Sequence, residues 1–291
     1  MRRRVALATY ARAPGLGPDD RLLIPALEAC GVTAEPVVWS SDTTDWETFD
    51  AVVIRSCWDY HLHIDAFRAW LARLEAIPVP VYNAPGLVRW NADKRYLLDL
   101  AQRGVPTIPT SVLLRNHPED IDRVLADTGW QRFVIKPTIS ASGYETYALR
   151  APLTDEARQA VARVTAVGDA LIQPFVDEVP RDGEYSFTFI DAAYSHATLK
   201  RATAGEFRVQ TEHGGTADRF LPSRELIEQA ARVLATLAEA PLYARVDGVV
   251  RENAFLLMEL ELIEPNLFLE FGTGAGDRMA RAIVARMGRA S

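Results

Sequence analysis

Lysine is rare in this chain. Of 32 basic residues only Lys94, Lys136 and Lys200 are lysines, and the rest are arginines. A lysine ammonium is a compact point charge on a flexible stem and a guanidinium is a planar fork, so the two are not interchangeable at a crowded phosphate. Lys94 lies early in a helix in "WNADKRYLL", Lys136 ends a strand just before the loop "PTISASG", and Lys200 ends the strand "YSHATLKR". Small residues in such a loop let backbone N–H groups approach phosphate oxygens.

A second group is acidic. In "LLMELELIEPN", Glu259 and Glu261 stand two apart, so in a strand they share one face while Met258, Leu260 and Leu262 take the other. The preceding segment "YARVDGVV" places Arg245 and Asp247 at the same spacing, and a hairpin through "RENAF" brings all four onto one sheet surface. Three close carboxylates raise one another's pKa unless a cation neutralises them. Magnesium, which combines carboxylates with waters and phosphate oxygens, suits this set. Zinc does not, because the five histidines are scattered and the two cysteines, Cys30 and Cys57, form no ligand cluster. Glu264 and Asn266 belong to the exit loop beyond the strand, where their part in the site is open.

The elements that position these residues read as an α/β plus α+β chain. Short apolar runs alternate with amphipathic segments at the start: "RVALATY", a helix around Asp20 to Cys30, "AEPVVW", "FDAVVIRS", a helix around Ile64 to Ala76 and "VPVYN". That pattern predicts a parallel α/β unit over residues 1–86. Open α/β sheets bind ligands at the carboxyl ends of their strands, which makes the loop after "AVVIRS", with Arg55, Trp58, Asp59 and Tyr60, a candidate substrate wall, Arg55 being suited to clamp a carboxylate. A linker helix from about Leu87 to Arg103 and a β-α-β unit, "TSVLL" to "RFVIKP", fill a second region, 87–170. From Leu171 the strands lengthen and read as hairpin-connected antiparallel sheet, followed by helices around Ser223 to Glu239 and Gly276 to Met287, in a third region, 171–291.

Composition narrows the partners. With 48% hydrophobic and 24% charged residues, the 291-residue chain has globular composition, and a net charge of −7 argues against binding nucleic acid through a basic surface. The start "MRRRVALATYARAPG" reads as a first strand rather than a secretory signal, because Tyr10 and Arg12 interrupt its apolar run. No run reaches the roughly 18 apolar residues of a membrane span. Small-molecule partners and a cytoplasmic, reducing location are expected. "FGTGAGDRM" opens a helix but lacks the following βαβ unit of a dinucleotide site, so it reads as a helix-entry loop.

Together these residues resemble the ATP-grasp superfamily, in which two α+β subdomains clamp ATP. The likeness covers roughly residues 85 to 290, with the N-terminal unit matching the pre-grasp domain. "LKRATAGEFRVQTEHGG" resembles the K-R…G-x-F-R…G-G segment of ligases of the glutathione synthetase and ribosomal-protein glutamate-ligase type. The overall layout is also similar to the cyclo-ligases of cycloserine biosynthesis, which close the ring of an O-ureido-serine. The resemblance implies that Lys94 and Lys136 contact ATP phosphates, with Ser140, Ser142 and Gly143 in the mobile lid. It makes Gln173, Phe175 and Val176 the hinge that reads adenine through backbone groups, and Glu184 the holder of the ribose hydroxyls. Lys200 would lie near the transferred phosphoryl group, Arg208 close to phosphate or substrate carboxylate, Gly214 and Gly215 near substrate, and Arg245 at the acyl-phosphate and the tetrahedral intermediate. Asp247, Glu259 and Glu261 would bind one or two Mg ions. Many relatives carry Asn where this chain has Glu261, and several lid glycines where it has Gly143 alone.

The implied activity is ATP-dependent activation of a small-molecule carboxylate, or an equivalent oxygen, for attack by an amine, with release of ADP and phosphate. The alternatives are an intramolecular cyclo-ligase and an ATP-binding module without ligase chemistry. The family leaves a homodimer open.

Overall fold

The computed structural model describes residues 2–210 and 213–288. Thr211 and Glu212, part of the glycine-ended segment above, lie outside the described residues. The first unit follows the predicted alternation: β1 (Arg3–Thr9), α1 (Leu23–Ala29), β2 (Val32–Val38), β3 (Ala51–Ser56), α2 (Ile64–Glu75) and β4 (Val81–Tyr82). Its strands are parallel in the order β2-β1-β3-β4. Every residue of β3 is buried, as expected of a strand covered on both faces. Trp39, Trp70 and Phe67 pack on one side of the sheet, and Leu23 and Leu27 of α1 pack on the other.

The linker departs from the predicted single helix. It is broken into α3 (Pro85–Asn91) and α4 (Tyr96–Gln102), which leaves Lys94 in the turn between them. The Lys94 N–H donates to the Thr138 carbonyl at 2.7 Å instead of to a helical carbonyl, and the Asp93 side chain accepts the Arg95 N–H at 3.0 Å. A tertiary partner therefore overrides a helical pattern that is continuous in the sequence.

The second unit holds β5 (Ser111–Leu113), α5 (Ile121–Thr128), β6 (Arg132–Pro137), β7 (Tyr147–Arg150), α6 (Asp155–Val167) and β8 (Ala170–Pro174). Its antiparallel order is β5-β8-β6-β7. This corrects two expectations. β5 and β6 are not neighbours in a β-α-β unit, because β8 lies between them, and β8 belongs to this sheet rather than to the third region. A run such as "ALIQP" reports that a strand is buried but not which sheet takes it up.

The third unit comprises α7 (Glu178–Asp182), β9 (Glu184–Ile190), β10 (Ala193–Arg201), β11 (Thr216–Phe220), α8 (Arg224–Ala235), β12 (Tyr243–Arg251), β13 (Ala254–Glu261) and α9 (Ala275–Met287). The sheet order is β11-β10-β9-β12-β13, all antiparallel. The edge strand β11 was not anticipated, since "TADRF" is short and mostly polar. α9 returns to pack on α1, so the end of the chain closes the core of the first unit. Among the described residues no helix is long and apolar enough to cross a membrane.

Two buried asparagines, one just after β4 and one at the end of α3, tie the chain on either side of α3 to the long sheet. Asn83 Oδ1 accepts the Leu242 N–H at 2.6 Å, and its Nδ2 donates to the carbonyls of Tyr243 and Leu262 at 2.9 and 2.8 Å. Asn91 bridges Leu260 and Leu262 in the same way. Asn83→Ala strands a buried donor and two acceptors, and is expected to lower stability by about 3 kcal/mol, read as a shifted urea midpoint at unchanged m-value.

Candidate active site

All three units contribute to one cavity of about 660 Å³. The loop after β1, with Gly17 to Asp20, and the loop after β3, with Trp58 and Tyr60, form its first wall. β6, the loop after it and β8 form the second, and the long sheet with the loop beyond β13 forms the floor.

The floor pairs as the spacing predicts. β12 and β13 form a hairpin in which Arg245 lies opposite Glu261 and Asp247 opposite Glu259. The turn residues Glu252 and Asn253 have φ values of 50° and 65°, as a tight two-residue hairpin requires. One detail differs. The register shifts between Asp247 and Gly248, so Met258 is an extra residue on β13 and joins Glu259 and Glu261 on the cavity wall rather than facing away.

The cations the acids need are supplied by the protein. Lys94 pairs with Glu259, and Arg245 pairs with Glu261 and, at 2.8 Å, with Asp247. Lys200 bridges Glu184 at 2.5 Å and Asp247 at 2.9 Å. Burial pushes the Glu259 carboxyl up, but Lys94 and Lys136 pull it down, to about 2 overall. Glu261 goes the other way, to about 7, because burial and the negative charges of Asp247 and Glu259 outweigh Arg245. Glu264 is half-buried, and desolvation followed by the charge of Glu261 raises it to about 8. Lys136 has no ion-pair partner within 4 Å among the described residues, and burial lowers its pKa. It is a desolvated ammonium facing the cavity, suited to an incoming anion.

Asp247 takes a different place from the one expected. Its carboxylate is fully buried, accepts from both Arg245 and Lys200, and does not line the cavity, whereas Glu259 and Glu261 do. Among the described residues no three His, Cys, Asp or Glu side chains are gathered into a ready-made metal group. From this hairpin two carboxylates, Glu259 and Glu261, face the cavity, and no histidine or cysteine stands among the lining residues described. That set fits a hard, oxygen-seeking divalent cation completed by phosphate oxygens, with Asp247 held behind it by two cationic side chains.

The remaining candidates divide. Ser140, Ser142, Gly143, Gln173, Phe175, Val176, Glu184, Lys200 and Arg208 all line the cavity. Gly143 has φ of 70°, and a Cβ there would meet His213 and Arg208 at 3.1 and 3.2 Å, so the lid's one glycine occupies the place where the lid touches the loop after β10. Arg208 is held by Glu206 at 2.7 Å. Gly214 and Gly215 shape that loop instead of lining the cavity; a Cβ on Gly215 would fall 2.1 Å from the Val209 carbonyl oxygen.

In the first unit Trp58 and Tyr60 face the cavity, but Arg55 and Asp59 do not. Asp59 accepts the Trp39 indole N–H at 2.8 Å. The Arg55 side chain is 0% exposed, pairs with Asp20 at 2.7 Å, donates to the Pro265 carbonyl at 2.7 Å and lies over the Tyr243 ring. Its place is therefore structural, and the expected carboxylate clamp is corrected: with Trp58, whose indole donates to the Glu264 carbonyl at 3.0 Å, it pins the exit loop beneath the cavity. Arg55→Met leaves Asp20 buried and unpaired and is expected to cost about 3–5 kcal/mol in a denaturant titration. A variant of wild-type stability with only a raised substrate KM would restore the clamp.

Sequence reasoning missed the loop after β1. Asp19 lines the cavity and accepts the N–H groups of Leu267 and Leu269 at 3.1 and 2.6 Å. The strand-end rule applied to β3 points equally to "PGLGPDD" after β1.

The sequence itself aligns end to end with a known protein. It is 36% identical over 288 residues to the cycloserine biosynthesis protein DcsG of Streptomyces lavendulae, covering 93% of this chain and 95% of that one. This chain belongs to the DcsG family of ATP-grasp ligases. Residues 5–83 match the profile of the N-terminal domain of D-cycloserine synthetase DcsG. The crystal structure of D-cycloserine synthetase DcsG superposes with a TM-score of 0.88 at 33% identity, over 98% of this chain and 99% of that one. D-alanine–D-alanine ligase from Bacillus anthracis shares the fold at a TM-score of 0.71 and 14% identity, covering 99% and 98% of the two chains. As a member of the DcsG family the chain is an ATP-dependent, ADP-forming ligase that makes a C–N bond.

Proposed function

We propose that this DcsG-family ligase is a cyclo-ligase that closes a cycloserine-type ring from an O-ureido-serine, with Mg²⁺ as its divalent cation, acting on small molecules in the cytoplasm. The observation that carries the reading is that residues 5–83, the part matching the DcsG N-terminal domain, supply the cavity wall opposite the cationic floor, through Asp19, Trp58 and Tyr60. The likeness therefore extends beyond the nucleotide cradle to the surface a substrate meets.

In this reading a substrate carboxylate oxygen attacks the γ-phosphorus of ATP, the bond to the bridging oxygen breaks, and ADP leaves. Lys94, Lys136 and Lys200 neutralise the phosphate oxygens as charge spreads over them. The nitrogen bonded to the side-chain oxygen of the same substrate then attacks the acyl carbon, losing its proton, and phosphate departs; hydrolysis removes the carbamoyl group left on that nitrogen as carbon dioxide and ammonia. Arg245, held by Asp247 and by the Asn266 carbonyl at 2.8 Å, presents its guanidinium to the oxygen that gains charge. Glu259 and Glu261 would hold Mg²⁺, which supplies further charge neutralisation at the phosphates. The lid with Ser140 to Gly143 excludes water from the acyl-phosphate.

The test offers the enzyme Mg-ATP with O-ureido-D-serine and measures ADP release and product mass. Ring formation with matching ADP supports the proposal. ADP release only with a separate carboxylate and amine would overturn it in favour of an intermolecular ligase.

A further inference from the structure

Phe268, in the exit loop, has φ of 54° and ψ of 42°, the left-handed region that a bulky side chain rarely adopts. The N–H groups on either side of it end on one carboxylate. Asp19 Oδ2 accepts from Leu267 at 3.1 Å and Oδ1 accepts from Leu269 at 2.6 Å. The Phe268 N–H donates to Asn266 Oδ1 at 2.9 Å, and the Leu267 carbonyl accepts from the Thr188 hydroxyl at 3.0 Å, with His196 Nε2 2.9 Å away. A two-pronged carboxylate of the first unit and side chains of the long sheet thus hold the left-handed turn between them. Asp19 is itself placed: the Gly17 N–H donates to Ser56 Oγ at 2.9 Å, Ser56 Oγ donates to Asp20 Oδ2 at 2.7 Å, and Asp20 pairs with Arg55. A Cβ on Gly17 would fall 2.4 Å from the Trp58 ring, so the loop lies directly against the wall that follows β3.

The turn bears on Arg245. Asp247, Glu261 and the Asn266 carbonyl grip the edge of its guanidinium. Hydrogen bonds to the edge of a planar fork fix where it sits but leave its tilt free. One face is covered by the Phe268 ring, whose centroid lies 5.5 Å from the guanidinium carbon, a cation–π contact. Two of the groups that orient Arg245, the ring and the Asn266 carbonyl, therefore belong to the segment that Asp19 holds. We infer that Asp19 is a positioning residue for the ligase reaction: its carboxylate clamps the left-handed turn at Phe268, and through the ring and the Asn266 carbonyl it sets the tilt of the Arg245 guanidinium. A donor stabilises developing charge only when it is already aimed, and a displacement of an ångström is costly. The first unit thus does more than wall the substrate, because its approach completes a group carried by the third.

The inference rests on Arg245 serving the reaction as proposed above, and the experiment separates the two. ADP release from Mg-ATP with O-ureido-D-serine is measured on the full chain for wild type, R245A, D19A, D19N, F268A, F268Y and D19A/F268A, and amide hydrogen exchange of residues 264–271 is followed without substrate. D19A is expected to lower kcat about 10–100-fold with little change in either KM, F268A to lower it comparably, and F268Y, which keeps the ring, to retain it. Because both residues act on one group, adding D19A to F268A is expected to cost at most about a further 3-fold. D19N turns an amide N–H towards one of the two backbone N–H groups, so it is expected to fall with D19A and decides the matter if D19A does not fold. The amides of residues 264–271 are expected to exchange faster in D19A. A raised KM for O-ureido-D-serine at wild-type kcat makes Asp19 a substrate-binding group and overturns the positioning role, as does a D19A loss undiminished in the F268A background. Undiminished turnover by R245A overturns the reading of Arg245 and the inference with it, whereas low turnover by R245A beside wild-type turnover by D19A overturns the inference alone. Absence of turnover by wild type overturns the ring-closing proposal, and unchanged exchange in D19A then still overturns the clamp.

Discussion

Arg245→Ala is expected to lower turnover about 10²–10³-fold while leaving ATP affinity close to wild type. The guanidinium is placed by four contacts: Nε and Nη2 donate to Asp247, Nη2 also reaches Glu261, and Nη1 donates to the Asn266 carbonyl. Lys94, Lys136 and Lys200 remain for the phosphates, so the ground-state nucleotide loses little. On the proposed mechanism, the acyl-phosphate and the tetrahedral species that follows it lose the donor aimed at them. Alanine also leaves Asp247 with Lys200 as its only ion-pair partner among the described residues, a buried imbalance worth about 3–5 kcal/mol at most. Arg245→Lys separates the two effects. It keeps the charge and most of the stability but lacks the planar fork, so turnover stays low while the melting temperature recovers. ATP affinity falling in parallel with turnover would show Arg245 to be a nucleotide-binding group instead.

Glu259→Gln should raise the Mg²⁺ concentration for half-maximal ADP release by at least about 10–100-fold. Glu259 is the one cavity-facing acid of this hairpin whose pKa is driven down, to about 2, so it is ionised throughout the working range. The pair with Lys94 must open or be shared when a divalent cation and phosphates arrive. On the proposed metal assignment, removing the carboxylate acts twice: it deletes a metal donor, and it frees Lys94 for phosphate in the absence of metal. The variant is expected to bind metal-free ATP at least as tightly as wild type while turning over poorly. Superimposable Mg²⁺ titrations of variant and wild type would remove Glu259 from the metal site.

Much of the site is readable along the chain because its signals are local. The two-residue period of a strand puts Glu259 with Glu261 and Arg245 with Asp247, and a short hairpin turn leaves little freedom in how the strands pair. Three lysines in an arginine-rich chain mark Lys94, Lys136 and Lys200 without any structure. Local signals also fail in identifiable ways. The helix pattern through "WNADKRYLL" is continuous, yet the chain breaks at Lys94 because a carbonyl on the lid side, Thr138, offers its N–H a partner. The bulge at Met258 moves a side chain onto the cavity wall, and nothing in an alternating pattern announces an extra residue.

The sequence alone determined the ATP-grasp class of the chain and the identity of its charged residues, since both follow from residue type, spacing and strand period. Tertiary structure decided how those charges are used. Arg55 and Asp247 were equally plausible cavity residues by spacing, but burial and pairing with Asp20, Arg245 and Lys200 hold both out of the cavity wall. Asp19 and Gln173 gained their places only when separate units met, Asp19 against the loop beyond β13 and Gln173 against Thr110. A charge or an amide acquires its direction from partners distant in the chain, and those distances close only on folding.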